Sequence, residues 1–135
     1  MIKVTSGNIP VEVTINSLRS PDCGAGMSYL GTVRNYLDGK QSKGLSFEVE
    51  DAVMQESLEK IEAQALEKFD VSEIAIVHRT GSFAVGDDIL LIAISAGHRG
   101  PAFEACMHII DLIKELHDEW KREELECQSF IFKLN

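Results

Sequence analysis

The stretch DLIKELHDEWKREEL, residues 111–125, carries Lys114 and Lys121 on what reads as one apolar helix, the second directly after Trp120, the chain's only tryptophan. Seven residues is about two helical turns, so both ammonium groups leave the same face. With Met107 at zero and about 100° per residue, Lys114 falls at about −20° and Lys121 at about −40°. That is the edge of an apolar arc holding Phe103, Cys106, Ile110 and Ile113, away from the middle of the acidic face. Two readings fit. In one, the lysine stems pack on apolar neighbours and the charged heads stay in water. In the other, the ammonium groups line a pocket in which desolvation favours the neutral amine needed for nucleophilic or acid–base chemistry. Spacing leaves both open.

A second constellation precedes the same helix. In SAGHRGPAFEA, His98 and Arg99 follow an apolar strand and open the helix, where unpaired backbone N–H groups attract anions. Arg99 adds a rigid fork of donors, and His98 a group that donates or carries charge near neutral pH. The pattern suits a phosphate or carboxylate, although strand–helix junctions also carry basic residues for no such purpose. Arg34 ends the strand SYLGTVR ahead of a polar loop, a usual place for a ligand contact. A solvated arginine paired with one of the 22 acidic residues explains it equally well. His78, in VHRTG, lies inside a hairpin and is read as structural. The cysteines (Cys23, Cys106, Cys127) show no catalytic partner spacing, and Cys106 falls on the apolar arc, so buried thiols are expected. The histidines lack H-x-x-x-H and H-E-x-x-H spacing, so no metal site is expected.

The elements that position these residues follow from pattern. Residues 1–5 read as a strand ending in a Gly-Asn-Ile-Pro turn, and VEVTINSLRS is open between strand and short helix. PDCGAG is a turn, MSYLGTVR (27–34) a strand, NYLDGKQSKG an exposed loop and LSFEVE a strand. DAVMQESLEKIEAQALEKF is an amphipathic helix, with Met54, Leu58, Ile61, Ala65 and Phe69 at helical spacing and Asp51 as N-cap. SEIAIVHRTGSF and DDILLIAISAG form a hairpin through AVGD, the run Ile89 to Ile94 being buried on both faces. Pro101 suits the first turn of a helix from about 101 to 120, and the tail SFIFKLN alternates like a closing strand. This order predicts an α+β fold with a largely antiparallel sheet and two main helices.

Bulk properties narrow the function classes. At 135 residues, 44% hydrophobic and 26% charged, the chain is expected to form one domain over 1–135. A formal charge of −9 argues against nucleic acid as partner, while a small anion remains suitable if a few cations gather in one pocket. Three cysteines without a C-x-x-C pair suit reduced thiols of a cytosol. The start, MIKVTSGNIPVEV, is unlike a secretory signal, and no run approaches the roughly 20 apolar residues of a membrane span. A soluble cytoplasmic protein without membrane contact is expected.

Taken together, GTVRN, IVHRTGSFAVGDDILLIAISAGHRGPAFEA, the helix ending in LIK, and EWKRE resemble the large, catalytic subunit of molybdopterin synthase over roughly residues 24 to 125. The resemblance implies an α/β hammerhead-type fold and a homodimer. It also implies a small ubiquitin-like partner at each end, giving a heterotetramer. The partner's C-terminal Gly-Gly would carry a thiocarboxylate into a pocket of this chain, and sulfur would pass to cyclic pyranopterin monophosphate in two rounds to form the dithiolene of molybdopterin. No cofactor of its own is implied. Lys114 and Lys121 match the catalytic lysines, and Arg34, His98 and Arg99 match the anion and pterin pocket. Tail and pterin are both anionic, so a locally cationic site is expected despite the overall charge.

Two departures stand out. Where many relatives have an apolar residue and a proline before the WK pair, this chain has His117, Asp118 and Glu119, so the helix is expected to continue there, with two added carboxylates near Lys121. In some relatives a longer basic tail contributes an arginine to the pocket; within residues 1–135, only Lys133 could substitute for it. The acidic insert keeps a second reading open, a non-catalytic module that binds a ubiquitin-like Gly-Gly tail.

Overall fold

The structure is a computed structural model that describes residues 1–37, 39–125 and 130–133. In chain order the elements are β1 (Ile2–Thr5), α1 (Val11–Ser17), β2 (Ala25–Thr32), β3 (Tyr36–Leu37), β4 (Lys40–Phe47), α2 (Asp51–Lys68), β5 (Glu73–Arg79), β6 (Gly81–Phe83), β7 (Asp88–Ala96), α3 (Arg99–Trp120), β8 (Lys121–Leu125) and β9 (Phe130–Lys133). One sheet has the order β1-β5-β7-β2, with β1 parallel to β5 and the other pairs antiparallel. A second, antiparallel sheet has the order β3-β4-β8-β9, and β6 also pairs with β4. The α+β class, the predominance of antiparallel pairs and the two long helices agree with the sequence.

Strand β7 explains why this sheet needs cover on both faces. Every residue from Ile89 to Ala96 is buried. Ile92 and Ile94 pack into the main core with Met54, Leu58, Ile109 and Ile113 of the two long helices. Leu91 and Ala93 point the other way, toward α1 and its flanks, where Ile9, Val11, Ile15 and Leu18 pack. Val11, Ile15 and Leu18 recur at helical spacing, which decides VEVTINS as helix. Its β-branched Thr14 bonds its own hydroxyl back to Pro10 O at 2.7 Å. Truncating a fully buried side chain of this core, such as Ile109, costs on the order of 2–5 kcal/mol.

Several sequence expectations shift. NYLDGKQSKG is a hairpin rather than a loop, with Gly39 at φ 77 in its turn and β4 running on through Phe47. The strand read as 27–34 spans Ala25–Thr32. The N-cap of α2 is Glu50 rather than Asp51, and no side chain bonds the cap. The residues after β5 leave the β5–β7 hairpin at Gly81 (φ 109), and β6 pairs with β4 instead. Phe103, placed on the buried arc of α3, is 53% exposed, because the core-facing stripe of the helix runs through Ala102, Ala105, Cys106, Ile109 and Ile113 and leaves Phe103 outside it. Cys106 is buried as expected, Cys23 is half-buried, and Cys127 lies outside the described residues. Among the described residues, no helix is long and apolar enough to cross a membrane.

Candidate active site

A cavity of about 530 Å³ opens between β2 and the C-terminal half of α3. Arg34, Lys114 and Lys121 all line it, together with apolar side chains that include Leu45, Ile89 and Ile113. Each cation is delivered by a different piece of backbone.

Arg34 follows Val33, whose N–H donates to Asp87 O at 3.0 Å and whose carbonyl accepts from Gly86 N–H at 2.8 Å. The turn that clamps it is itself fixed, since Asp87 N–H donates to Ala84 O at 3.1 Å and the Asp87 carboxylate accepts from Ala84 N–H at 2.9 Å. Gly86 supplies the positive φ, 92°, that this kind of turn requires at its third position. Lys114 lies on α3 beside the buried Ile113 and is exposed.

Lys121 is the C-cap of α3, with φ −87 and ψ 135, and its N–H still donates to His117 O. It is also the first residue of β8, opposite Phe47 of β4, while Glu48 N–H donates to Trp120 O at 2.8 Å. The helix therefore runs through His117, Asp118 and Glu119, as the absent proline implies, and stops where β4 captures the chain.

His117 also lines the cavity, and beneath it lies His78 of β5. Their Nε2 atoms are 2.8 Å apart, and His78 Nδ1 is 2.8 Å from Arg79 O. A carbonyl only accepts, so His78 carries its proton on Nδ1 and its Nε2 is an acceptor. His117 then donates through Nε2–H, which makes both rings neutral. Burial is the main force holding His78 well below the usual imidazole range, to about 4, with Lys121 adding to it against the raising effect of the Arg79 carbonyl. His117 is pushed lower still by burial first, then by His78, Lys121 and Lys114. Phe47 packs against both rings, with centroids 4.8 Å and 4.9 Å away.

His78 is thus structural, as the sequence suggested, but its link to the site went unseen there. The available signal was a polar residue on an apolar face, twice: His78 in the otherwise buried run of β5, and His117 on the buried face of α3 between the two lysines.

The other two expected residues do not join this group within one chain. His98 is the N-cap of α3 and Arg99 its first residue, both exposed. Arg99 precedes Lys114 by a helical length of about 22 Å. The cavity is also less cationic than expected, because Asp111, Glu115 and Asp118 line it beside the three cations. The side chain of Lys133 lies outside the described residues.

The chain and its fold are similar to known proteins. The family model of the MoaE protein matches residues 4–116. A molybdopterin synthase catalytic subunit from Thermoplasma volcanium is 36% identical over 125 residues, covering 93% of this chain and 91% of its own length. The crystal structure of molybdopterin synthase from Staphylococcus aureus aligns with a TM-score of 0.83 at 27% identity, covering 96% of this chain and 95% of that one. A chain from the Helicobacter pylori protein–protein complex of subunits 1 and 2 of molybdopterin-converting factor aligns at 0.71, covering 99% and 90% of the two chains; at 20% identity it speaks for the fold alone. The chain therefore belongs to the MoaE protein family, that of the molybdopterin synthase catalytic subunits.

Proposed function

We propose that this protein, as one domain over 1–135, transfers sulfur from the C-terminal thiocarboxylate of a small ubiquitin-like partner to cyclic pyranopterin monophosphate, forming the dithiolene of molybdopterin in the cytoplasm. The observation that carries the reading is the convergence of Arg34, Lys114 and Lys121 on one cavity. An anionic tail and an anionic pterin must meet there. Fixed cations over a partly apolar floor offset their mutual repulsion and stabilise charge that builds up as sulfur attacks. Lys114, on the regular part of α3, suits contact with the reacting carbonyl or sulfur. Lys121, held between a helix end and a strand, suits proton transfer or phosphate binding.

His98 and Arg99 enter this reading through a homodimer. Because they lie at the far end of α3 from Lys114, a second copy of the chain is the natural source of their donors. Two more donors would offset the carboxylates of Asp111, Glu115 and Asp118. Those same carboxylates favour the second reading, a module that binds the Gly-Gly tail without turnover.

The test is molybdopterin formation, read by the fluorescence of its oxidised pterin, with thiocarboxylated partner and cyclic pyranopterin monophosphate. Turnover by wild type and its loss in a folded, partner-bound Lys114→Ala variant supports the reading. Tail binding without product by wild type selects the binding module. Mixing Lys114→Ala with Arg99→Ala chains tests the dimer, since shared sites restore activity that neither variant has alone.

A further inference from the structure

The pair of histidines beneath the cavity has no part in the chemistry described so far. His78 is fully buried, in T-shaped contact with Phe47, and its Nδ1–H is committed to the Arg79 carbonyl. His117 Nε2–H is therefore committed to His78 Nε2. The ring of His117 has one hydrogen-bonding atom left to offer the cavity, the Nδ1 lone pair.

Along α3, His117 comes three residues after Lys114 and four before Lys121, the two spacings that make helix residues neighbours on one face. The groups facing it are the imidazole of His78 from β5, the ring of Phe47 from β4 and, on its own helix, the two ammonium groups that disfavour its protonation. Arg34 from the end of β2 and the carboxylates of Asp111, Glu115 and Asp118 line the same cavity. A proton added to His117 would sit among ammonium groups and above a buried ring. At working pH the ring stays a neutral acceptor.

We propose that His117 is a positioning residue of the sulfur-transfer site. Its tautomer is set by the chain from the Arg79 carbonyl through His78, and its Nδ1 accepts a hydrogen bond from a lysine ammonium, fixing where that ammonium stands when the substrate is bound. This rests on the function proposed above. His117 acts through Lys114 or Lys121 and need not touch the pterin. The arrangement combines a rigid, buried anchor, His78, with a single outward acceptor on His117.

Two substitutions separate this role from simple core support. A glutamine amide reaches the position of Nε2, so His117→Gln keeps the contact with His78 and removes the Nδ1 acceptor. An asparagine oxygen reaches the position of Nδ1, so His117→Asn keeps the acceptor and gives up the contact with His78. With the full chain, thiocarboxylated partner and cyclic pyranopterin monophosphate, His117→Gln is expected to lower kcat about ten-fold. KM and partner affinity should stay within about two-fold. His117→Asn should keep kcat within about three-fold of wild type even if its Tm falls. Losing an acceptor makes an ammonium easier to deprotonate, so the lysine limb of the kcat–pH profile should move to lower pH in His117→Gln and stay in place in His117→Asn.

Wild-type kcat in His117→Gln, or equal loss in both variants, overturns the proposal. Nitrogen NMR of the two imidazoles in wild type reads the tautomers without turnover. Protons on His78 Nδ1 and His117 Nε2 are expected, and a proton on His117 Nδ1 overturns the inference even in an active enzyme. If wild type makes no molybdopterin, the functional reading fails, while the tautomers and the NMR titration of the lysine Nζ in wild type and His117→Gln still decide whether His117 holds an ammonium.

Discussion

His78 Nε2 and His117 Nε2 lie 2.8 Å apart, so a strand of the central sheet and the last full turn of the longest helix are joined by one proton between two neutral rings. The bond satisfies two buried polar groups that would otherwise be costly inside a core. It works only while neither ring is charged.

Acid should therefore loosen the protein earlier than its carboxylates alone would. Both rings titrate below the ordinary imidazole value of 6.5 in the folded chain, chiefly because they are buried. Between pH 6.5 and about 4, where His78 titrates in the folded chain, the unfolded chain takes up protons that the folded chain refuses. This contribution is complete above 6.5 and declines as pH falls, by ~2 kcal/mol per ring at pH 5. Urea unfolding at pH 7.5 and 5.0 measures it, and His117→Gln should show about half of the wild-type decline. A wild-type midpoint that does not move between these pH values would falsify the linkage.

Lys114→Ala and Lys121→Ala should each lower the rate of molybdopterin formation, on the order of 100-fold if the side chain handles charge or protons in the transition state. Lys114 is exposed, so its loss should leave Tm within about 2 °C. Single-turnover rates with saturating pterin and partner check this, and a rate within two-fold of wild type for both variants removes the lysines from the chemistry.

Arg34→Ala should act on binding instead. A hydrogen bond to a charged group is worth about 1.5–3 kcal/mol, so the KM for the pterin should rise about ten-fold or more with a smaller effect on kcat. Arg34→Lys should recover only part of that loss, because an ammonium lacks the planar fork. Steady-state kinetics over a range of pterin concentrations distinguishes this from a fall in kcat alone.

Gly44→Ala should damage the wall of the site without touching a catalytic group. Gly44 has φ 144, and a Cβ there would stand 2.5 Å from Phe83 O, the backbone of β6. Neither strand can yield cheaply, because β4 holds β6 on one side and β8 on the other. The cost should be about 2–3 kcal/mol, read as a lower Tm or urea midpoint. Stability equal to wild type would mean the close approach of the two strands is relaxed in solution.

Much of this protein was legible before any coordinates. Met54, Leu58, Ile61 and Ala65 announced α2, the apolar run of β7 announced a sheet covered on both faces, and the spacing of Lys114 and Lys121 put both on one side of α3 while leaving their role open. These are local properties, because helical and strand periodicities are written into neighbouring residues. What escaped was nonlocal. β4 pairs with both β6 and β8, and no residue within β4 records those distant partners. His98 and Arg99 look like neighbours of the lysines in a list of motifs, yet the rigid length of α3 keeps them apart within one chain. The pairing of His78 with His117, 39 positions apart, exists only because β5 and α3 pack face to face in the core. Sequence offered the candidate groups, and tertiary packing decided which of them stand within reach of one another, because hydrogen bonding and Coulomb attraction act over ångströms in space and not over positions in a chain.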